Sequence, residues 1–436
     1  MVLSCDFGTS SLKMSLVDER FGTVATTKEP YDYIVTGGDF VEIRPDDILG
    51  AFAAGVKKLG PRVSETKALA FDTFSPSLVF LDADGKPKSN VVTHLDRRAR
   101  AQTRFIMQEF GGERFRKITG VLPFTGGVTL TTILWFKKNR PEIFRDSTIA
   151  CLVTYMFSFF TGQRAWDLVN ASMAGMFDTF RSSGWSKEIL SFAGIPRAML
   201  PDVAAPGELK AGLCAGAAGF SGLKAGIPVF LGTNDCAISQ IGAGNSRSGD
   251  MLNIAGSSEM LSVLTNKPLL HEKYYLRLSA TKGLWQIFCI TNAGFNLDWF
   301  HREFCHELSD KEFFEGYMPR VTEAGSLAKT ARFLPYLSGD RHSLKKKRGA
   351  FTGLSLDTGR DEVFAALLRG INEPILTTLA ICGEKMKLGK KIKITGGLAV
   401  NPAYMRLKRQ LYENFEFELQ DDCAVLGNAR LAYERL

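Results

Sequence analysis

Neither of the common glycine-rich nucleotide fingerprints occurs in this chain. There is no G-x-x-x-x-G-K-S/T run, which excludes a P-loop. Gly242-x-Gly244 lacks a third glycine at the distance a dinucleotide-binding turn needs. Histidine is scarce, and none of the five is paired four residues from another; His301 and His306 fall five apart. The eight cysteines form no C-x-x-C pair. These spacings argue against a structural zinc site, and scattered cysteines suit reduced thiols in the cytosol. The longest nearly apolar stretch, 149–160, contains a threonine and is too short to span a bilayer, so it reads as a buried helix. The opening Met-Val-Leu-Ser-Cys resembles a strand and carries no signal-peptide pattern. The expectation is a cytoplasmic protein with no membrane segment.

What is present suits a folded, two-domain protein. The 436 residues are 45% hydrophobic and 23% charged, too many for one core and ordinary for a globular chain. Net charge is +8, which favours an anionic ligand such as ATP, while the lack of a long basic tail argues against a nucleic-acid partner. The densest basic run, Lys345-Lys346-Lys347-Arg348, reads as a solvated loop.

Two short segments carry most of the information. Residues 5–13 read Cys-Asp-Phe-Gly-Thr-Ser-Ser-Leu-Lys, and 253–258 read Asn-Ile-Ala-Gly-Ser-Ser. In each, an apolar run breaks into a small glycine and hydroxyl turn and resumes as strand. Successive backbone N–H groups in such a turn form an anion-binding concavity, and hydroxyls add donors. Gly8 and Gly256 are expected to let the backbone approach a ligand and to adopt positive φ. Two such turns half a chain apart predict a duplicated domain that holds a polyphosphate between its halves.

The remaining pattern is α/β. A hairpin over 2–18 is followed by a strand near 23–27 and a helix over 48–59, entered at Pro45-Asp46-Asp47. Strands are predicted at 68–71 and 78–81, ended by the turn Asp82-Ala83-Asp84-Gly85. From 97 to 204 the spacing is mainly helical, with breaks at Gly111-Gly112, Gly126-Gly127 and Ser182-Ser183-Gly184. A buried strand at 227–232 leads into a helix at 236–242, and Gly244-Asn245-Ser246-Arg247-Ser248-Gly249 reads as a linker. This places one domain at 1–245 and a second at 246–436.

Three positions stand out chemically, each with a plainer reading beside it. Asp6, ahead of the first turn, can hold Mg²⁺ beside a phosphate chain, or cap the hairpin. Asp235, between a buried strand and a helix, can accept a proton from an attacking hydroxyl, or serve as an N-cap. Gly396-Gly397-Leu398-Ala399-Val400-Asn401 can admit a flat ring against the backbone with Asn401 as donor and acceptor, or form a strand-to-helix turn capped by Asn401.

These landmarks, taken in order, resemble the FGGY carbohydrate kinases of the actin-like, ribonuclease-H-like ATPase superfamily, nearest to the xylulokinases. The resemblance rests on Asp6-Phe7-Gly8-Thr9-Ser10, on Asp96 and Arg98, and on Asp167 with Asn170. It continues through Gly232-Thr233-Asn234-Asp235, Gly256-Ser257-Ser258, Ala293-Gly294 to Trp299, Phe333 to Arg341, Gly396-Gly397 with Asn401, and Ala424 to Ala429. It implies an α/β fold of two ribonuclease-H-like domains with a cleft between them, binding Mg–ATP and phosphorylating a sugar, sugar acid or polyol.

The resemblance also assigns roles. Asp235 matches the general base and Asp6 the acidic residue near Mg–ATP. Thr9, Ser10 and Lys13 match the first phosphate hairpin, and Gly256 with Ser257 the second. Gly294 and Asp298 match the nucleotide cleft, Gly397 and Asn401 the adenosine site. The sugar side differs: Ser75-Pro76 stands where xylulose-specific relatives carry Met-His, His94 replaces a frequent tryptophan ahead of Asp96, and Cys236 replaces an amide beside the base. The chemistry is therefore expected to be intact and the sugar pocket altered. Relatives are often homodimers, which extends to this chain as an expectation. An actin-like ATPase switch, or a sugar-binding regulator without kinase activity, is the alternative within the same superfamily.

Overall fold

The computed structural model describes residues 1–181, 184–323, 330–337, 339 and 347–436. Ser182-Ser183 in the predicted break, Lys345 and Lys346 of the basic run, and part of the Phe333 to Arg341 landmark lie outside the described residues. The chain divides into two compact units. The first comprises Met1–Gly244, Arg277–Gly283 and Asp422–Leu436, and the second Asn245–Leu276 and Leu284–Asp421.

In the first unit, strands β1 (Val2–Phe7), β2 (Ser11–Val17) and β3 (Thr23–Pro30) form an antiparallel meander. Strand β4 (Ala68–Thr73) then adds parallel to β1, followed by β5 (Lys210–Gly212), β6 (Pro228–Phe230) and β7 (Thr233–Asn234). The spatial order is β5-β6-β4-β1-β2-β3, with β7 also paired to β4. Central strands β1 and β4 are apolar on both faces because helices cover both, which is why they read as continuous apolar runs.

The second unit repeats this plan. Strands β8 (Met251–Ala255), β9 (Glu259–Thr265) and β11 (Trp285–Thr291) form the meander, with β10 (Tyr275–Leu278) beyond β11. Strands β12 (Lys391–Thr395) and β13 (Glu416–Leu419) add parallel to β8. Both sheets thus run antiparallel, antiparallel, parallel, parallel outward from the same hairpin, the duplication expected from the two glycine turns.

Most local expectations hold. The predicted helix at 48–59 forms as α1 (Pro45–Leu59), with proline at its start and Asp46 and Asp47 in its first turn. The apolar stretch 149–160 is not one helix: Thr148–Ala150 is a strand, and α2 (Leu152–Thr161) follows it, almost entirely buried. Among the described residues one helix, Arg360–Lys385, is long and apolar enough to cross a membrane by length and composition, and 61% of its most apolar window is buried. It carries Arg369, Glu373 and Pro374, and its Phe364, Leu367, Leu368 and Ile371 join the second unit's core.

One expectation about the turns fails. Neither Gly8 nor Gly256 has a positive φ. The turns close without a left-handed residue at either glycine.

Candidate active site

In the first unit the parallel strands end together. Phe7 lies opposite Thr73, and Thr73 opposite Asn234, so the carboxyl ends of β1, β4 and β7 are level. Open α/β sheets bind ligands at such ends. Asp6 sits opposite Asp72, and Asp72 opposite Thr233. Asp235 follows directly as the first residue of helix α4 (Asp235–Gly242). Two of the residues predicted to carry chemistry, Asp6 and Asp235, are thereby gathered at one sheet end.

The capping alternative for Asp235 is not what the structure shows. Asn234 is the cap, its Oδ1 accepting from the Ala237 N–H at 3.1 Å. Asp235 Oδ1 accepts from Asn234 Nδ2 at 2.8 Å and from the Cys236 N–H at 2.6 Å. Both bonds fall on Oδ1 and fix the carboxylate, and the Cys236 side chain is a further hydrogen-bond partner. Burial raises the Asp235 carboxyl above its usual range, while the Cys236 bonds, Arg277 and Asn234 pull it back.

Asp6 is half-buried, and its carboxyl is raised to about 6, first by burial and then by the charge of Asp235. Asp72 is fully buried and is pushed up well above the usual carboxylate range, first by burial and then by the charges of Asp6 and Asp235. Its Oδ2 accepts from Asn428 Nδ2 at 2.5 Å. Asp72 carried no assignment in the sequence, although a carboxylate inside the apolar run Ala68-Leu69-Ala70-Phe71 was a visible signal.

A second polar chain runs beside Asp235. Ser75 Oγ donates to Asn170 Oδ1 at 2.5 Å, Asn170 Nδ2 donates to Asp167 Oδ2 at 2.7 Å, and Thr233 Oγ1 donates to Asp167 Oδ1 at 2.7 Å. Ser75, predicted at the sugar pocket, therefore already spends its proton within the protein; its bond to Pro76 is cis. Arg277 is buried within electrostatic reach of Asp235 and Asp167. Lying 42 residues past Asp235 in sequence (277 minus 235), it offered no local motif.

Other predicted residues have different occupations. Lys13 forms an ion pair with Asp422. Thr9 is half-buried and Ser10 exposed in the turn. His94 is half-buried beside Phe74, with ring centroids 6.2 Å apart. Cys236 is half-buried, and burial raises its thiol. Asp96 is 1% exposed, and both its oxygens are bonded to the Arg98 side chain, with the Val41 and Arg98 N–H groups completing the set. The sugar-contact role expected of Asp96 does not fit that geometry; the residue is the buried anchor of Arg98.

In the second unit the predicted nucleotide residues cluster around one turn. The Gly294 N–H donates to Gly256 O at 3.1 Å and the Phe295 N–H to Ser257 O at 3.0 Å, tying the start of α5 (Ala293–Phe304) to the turn. The Leu398 N–H donates to Ala255 O at 3.0 Å, bringing in the 396–401 loop. Asp298 lies exposed one turn into α5. Asn401 caps α7 (Pro402–Leu411), its Oδ1 accepting from the Tyr404 N–H at 3.0 Å. The capping reading of Asn401 is therefore real, and its amide nitrogen is not used by that bond.

The glycines here separate into two kinds. A Cβ on Gly294 would stand 2.7 Å from Ser257 Cα, and one on Gly396, with φ of 102°, would stand 2.4 Å from Ala255 O. Both are needed for internal packing. A Cβ on Gly397 would meet nothing within 4 Å, and one on Gly256 would meet only Ser258 O at 3.4 Å. Neither of these is explained by packing or by φ, which leaves room for a bound group as the physical reason for glycine.

A sequence model described as the FGGY family of carbohydrate kinases, N-terminal domain, matches residues 1–242. The chain is 25% identical over 442 residues to the xylulose kinase of Bacillus subtilis, covering 99% of this chain and 87% of that one. It is 24% identical over 429 residues to the gluconokinase of Bacillus licheniformis, covering 95% and 83%. The crystal structure of a ligand-bound xylulose kinase from Lactobacillus acidophilus superposes with a TM-score of 0.89 at 21% identity, over 99% of this chain and 89% of that one. With more than half its length matched by that family model, and a repeated hairpin fold shared along its whole length with solved sugar kinases, this chain belongs to the FGGY carbohydrate kinases and is a sugar kinase.

Proposed function

We propose that the enzyme transfers the terminal phosphoryl group of ATP to a hydroxyl of a xylulose-like ketose or a related polyol or aldonate, with Asp235 as general base. The observation that carries this reading is the state of the Asp235 carboxylate. It stands at the end of three parallel strands, relieved of capping by Asn234 and held in place by Asn234 and Cys236. A base must be held within hydrogen-bond reach of the proton it takes, and burial that raises its carboxyl strengthens it as an acceptor.

The two glycine turns supply backbone N–H groups and hydroxyls for phosphate, Thr9 and Ser10 in the first unit and Ser257 in the second. Lys13 exchanges Asp422 for phosphate when the nucleotide enters. Gly397 admits the adenine ring, and the Asn401 amide nitrogen addresses it. Bound Mg²⁺ would neutralise phosphate charge. Among the described residues no group of three or more His, Cys, Asp and Glu could hold a metal by itself. Mg²⁺ commonly takes one or two carboxylates plus phosphates and water, so Asp6 fits the part of the single protein ligand.

Relatives named as xylulose kinases and as gluconokinases support a sugar or sugar-acid acceptor. The Ser75 proton is spent on Asn170, so Ser75 can meet an acceptor hydroxyl only as a hydrogen-bond acceptor.

Incubation with ATP and a panel of ketoses, aldonates and polyols, read by mass spectrometry for phosphorylated product, tests the reading. Asp235→Ala is expected to lower the rate by roughly 10²-fold or more while ATP still binds. ATP hydrolysis with no phosphosugar product would instead indicate the switch-type ATPase.

A further inference from the structure

Directly behind the second glycine turn lies a fully buried ion pair, Glu259 with Lys408, both side chains at 0% exposure. Glu259 Oε1 takes Lys408 Nζ, and Glu259 Oε2 takes the hydroxyl of Tyr404. Lys408 Nζ also donates to the Tyr412 hydroxyl at 3.2 Å, which in turn donates to Asn372 Oδ1 at 3.0 Å. All five residues are buried.

Their places in the chain give the arrangement meaning. Glu259 opens β9 two residues after Ser257, and its backbone is paired to Ala255 on one side and Thr291 on the other. Tyr404 and Lys408 lie one turn apart on α7, and the N–H of Tyr404 is the group that Asn401 caps. One carboxylate thus joins the strand leaving the phosphate turn to the helix that presents Asn401.

Stability does not explain such a pair. Desolvating two charges costs about as much as their attraction returns, and apolar replacement of both is often neutral or stabilising. Geometry does explain it: a carboxylate with two directional partners fixes the distance and rotation of α7 against β9 in a way apolar contact does not.

We infer that Glu259, Lys408 and Tyr404 form a positioning lock that sets the phosphate turn and the adenosine-side helix at the spacing one nucleotide needs. The inference rests on the reading of Gly256, Ser257, Gly397 and Asn401 as the nucleotide residues. None of the three lock residues touches the nucleotide; they act through the backbone of the turn and the start of α7.

The test separates folding from nucleotide affinity. The double variant Glu259→Leu with Lys408→Met is expected to keep a melting temperature close to the parent. Its KM for ATP should rise about ten-fold, while KM for the sugar stays within about two-fold. Tyr404→Phe, which removes one hydroxyl and no charge, is expected to fold and to raise KM for ATP in the same direction by a smaller factor. A folded double variant with KM for ATP within about two-fold of the parent overturns the lock. Should the double variant not fold, an unchanged KM for ATP in Tyr404→Phe overturns it. Gly397→Val, whose side chain enters open space in the free protein, checks the underlying reading separately. If Gly397→Val leaves KM for ATP unchanged, the nucleotide assignment itself is at fault.

Discussion

Asn428, on the last helix of the chain, donates from Nδ2 to the fully buried carboxylate of Asp72 at 2.5 Å. The helix, α8 (Cys423–Tyr433), belongs to the first unit despite following the whole of the second in sequence. Ser4 Oγ to Val425 O at 3.0 Å and Tyr433 OH to Val17 O at 2.9 Å hold it on the sheet. Asn428→Leu removes the donor and leaves a buried carboxyl oxygen without it. The expected loss is about 1–3 kcal/mol, read from chemical denaturation. Asn428→Asp, which sets a second carboxyl against the first, should cost more at neutral pH than at acid pH.

Helix α8 also explains a pair of glycines. A Cβ on Gly427 would stand 2.2 Å from Ile238 O, and one on Gly242 would stand 1.7 Å from Cys423 O. The atoms met are backbone, so they yield only if α4 and α8 separate. Because α4 begins at Asp235, that separation moves the proposed base. Gly427→Ala should destabilise the protein by about 1–3 kcal/mol through overpacking. It should also depress kcat more than KM for ATP. Gly256→Ala, with only ordinary contacts to meet, should leave the melting temperature near the parent value and raise KM for ATP. The two glycine variants therefore separate packing from ligand room in one set of assays.

How much of this could be read from residues alone differs between the two units. The glycine turns, the strands flanking them and Asp235 are local patterns, and each was legible. The duplication was legible because both hairpins follow the same apolar-glycine-hydroxyl order. What escaped was whatever depends on distant chain: Asn428 to Asp72, Arg277 beside Asp235, and Lys408 to Glu259. The first contact closes over 356 residues and the third over 149, and no periodicity reports them. That Asp235 is not the cap was equally hidden, since only the fold shows Asn234 taking the capping bond. Positive φ at Gly8 and Gly256 was expected from residue type, and the backbone did not require it.

The carboxylates at the strand ends predict a dependence on pH. Asp6 is raised to about 6 by burial and by Asp235, with the hydrogen bond to Asp72 and then Lys13 opposing and Asp422 adding to the effect. In the unfolded chain it titrates near about 4. Between these values the folded state holds a proton that the unfolded state has lost, so stability falls as pH rises through the interval. The ligand-free protein should lose roughly 2–3 kcal/mol between about pH 4 and about pH 6.5 from this group. Asp72, raised further by burial and by Asp6, adds to the loss in the same direction. Urea midpoints measured across that range should slope downward, and Asp6→Asn should flatten the slope. A midpoint that rises with pH in the parent, or a slope that Asp6→Asn leaves intact, contradicts the assignment.

Asp96 offers the sharpest contrast between a sugar ligand and a structural anchor. Its carboxylate takes Arg98 Nε and Nη2, the latter at 2.7 Å, and the guanidinium lies 4.2 Å from the centroid of the Phe40 ring and 2.6 Å from Glu42. The Arg98 side chain is 2% exposed. Removing the carboxylate strands a buried cation with only Glu42 to answer it, and breaking a buried pair in this way costs about 3–5 kcal/mol. Asp96→Ala should therefore unfold at markedly lower denaturant concentration, while the folded fraction keeps a sugar KM within about two-fold of the parent. Full stability with a sharply raised sugar KM would return Asp96 to the sugar pocket. The expected pattern instead turns the search for acceptor contacts toward Asp235, beside which Ser75, Asn170, Asp167 and Thr233 form one hydrogen-bonded chain.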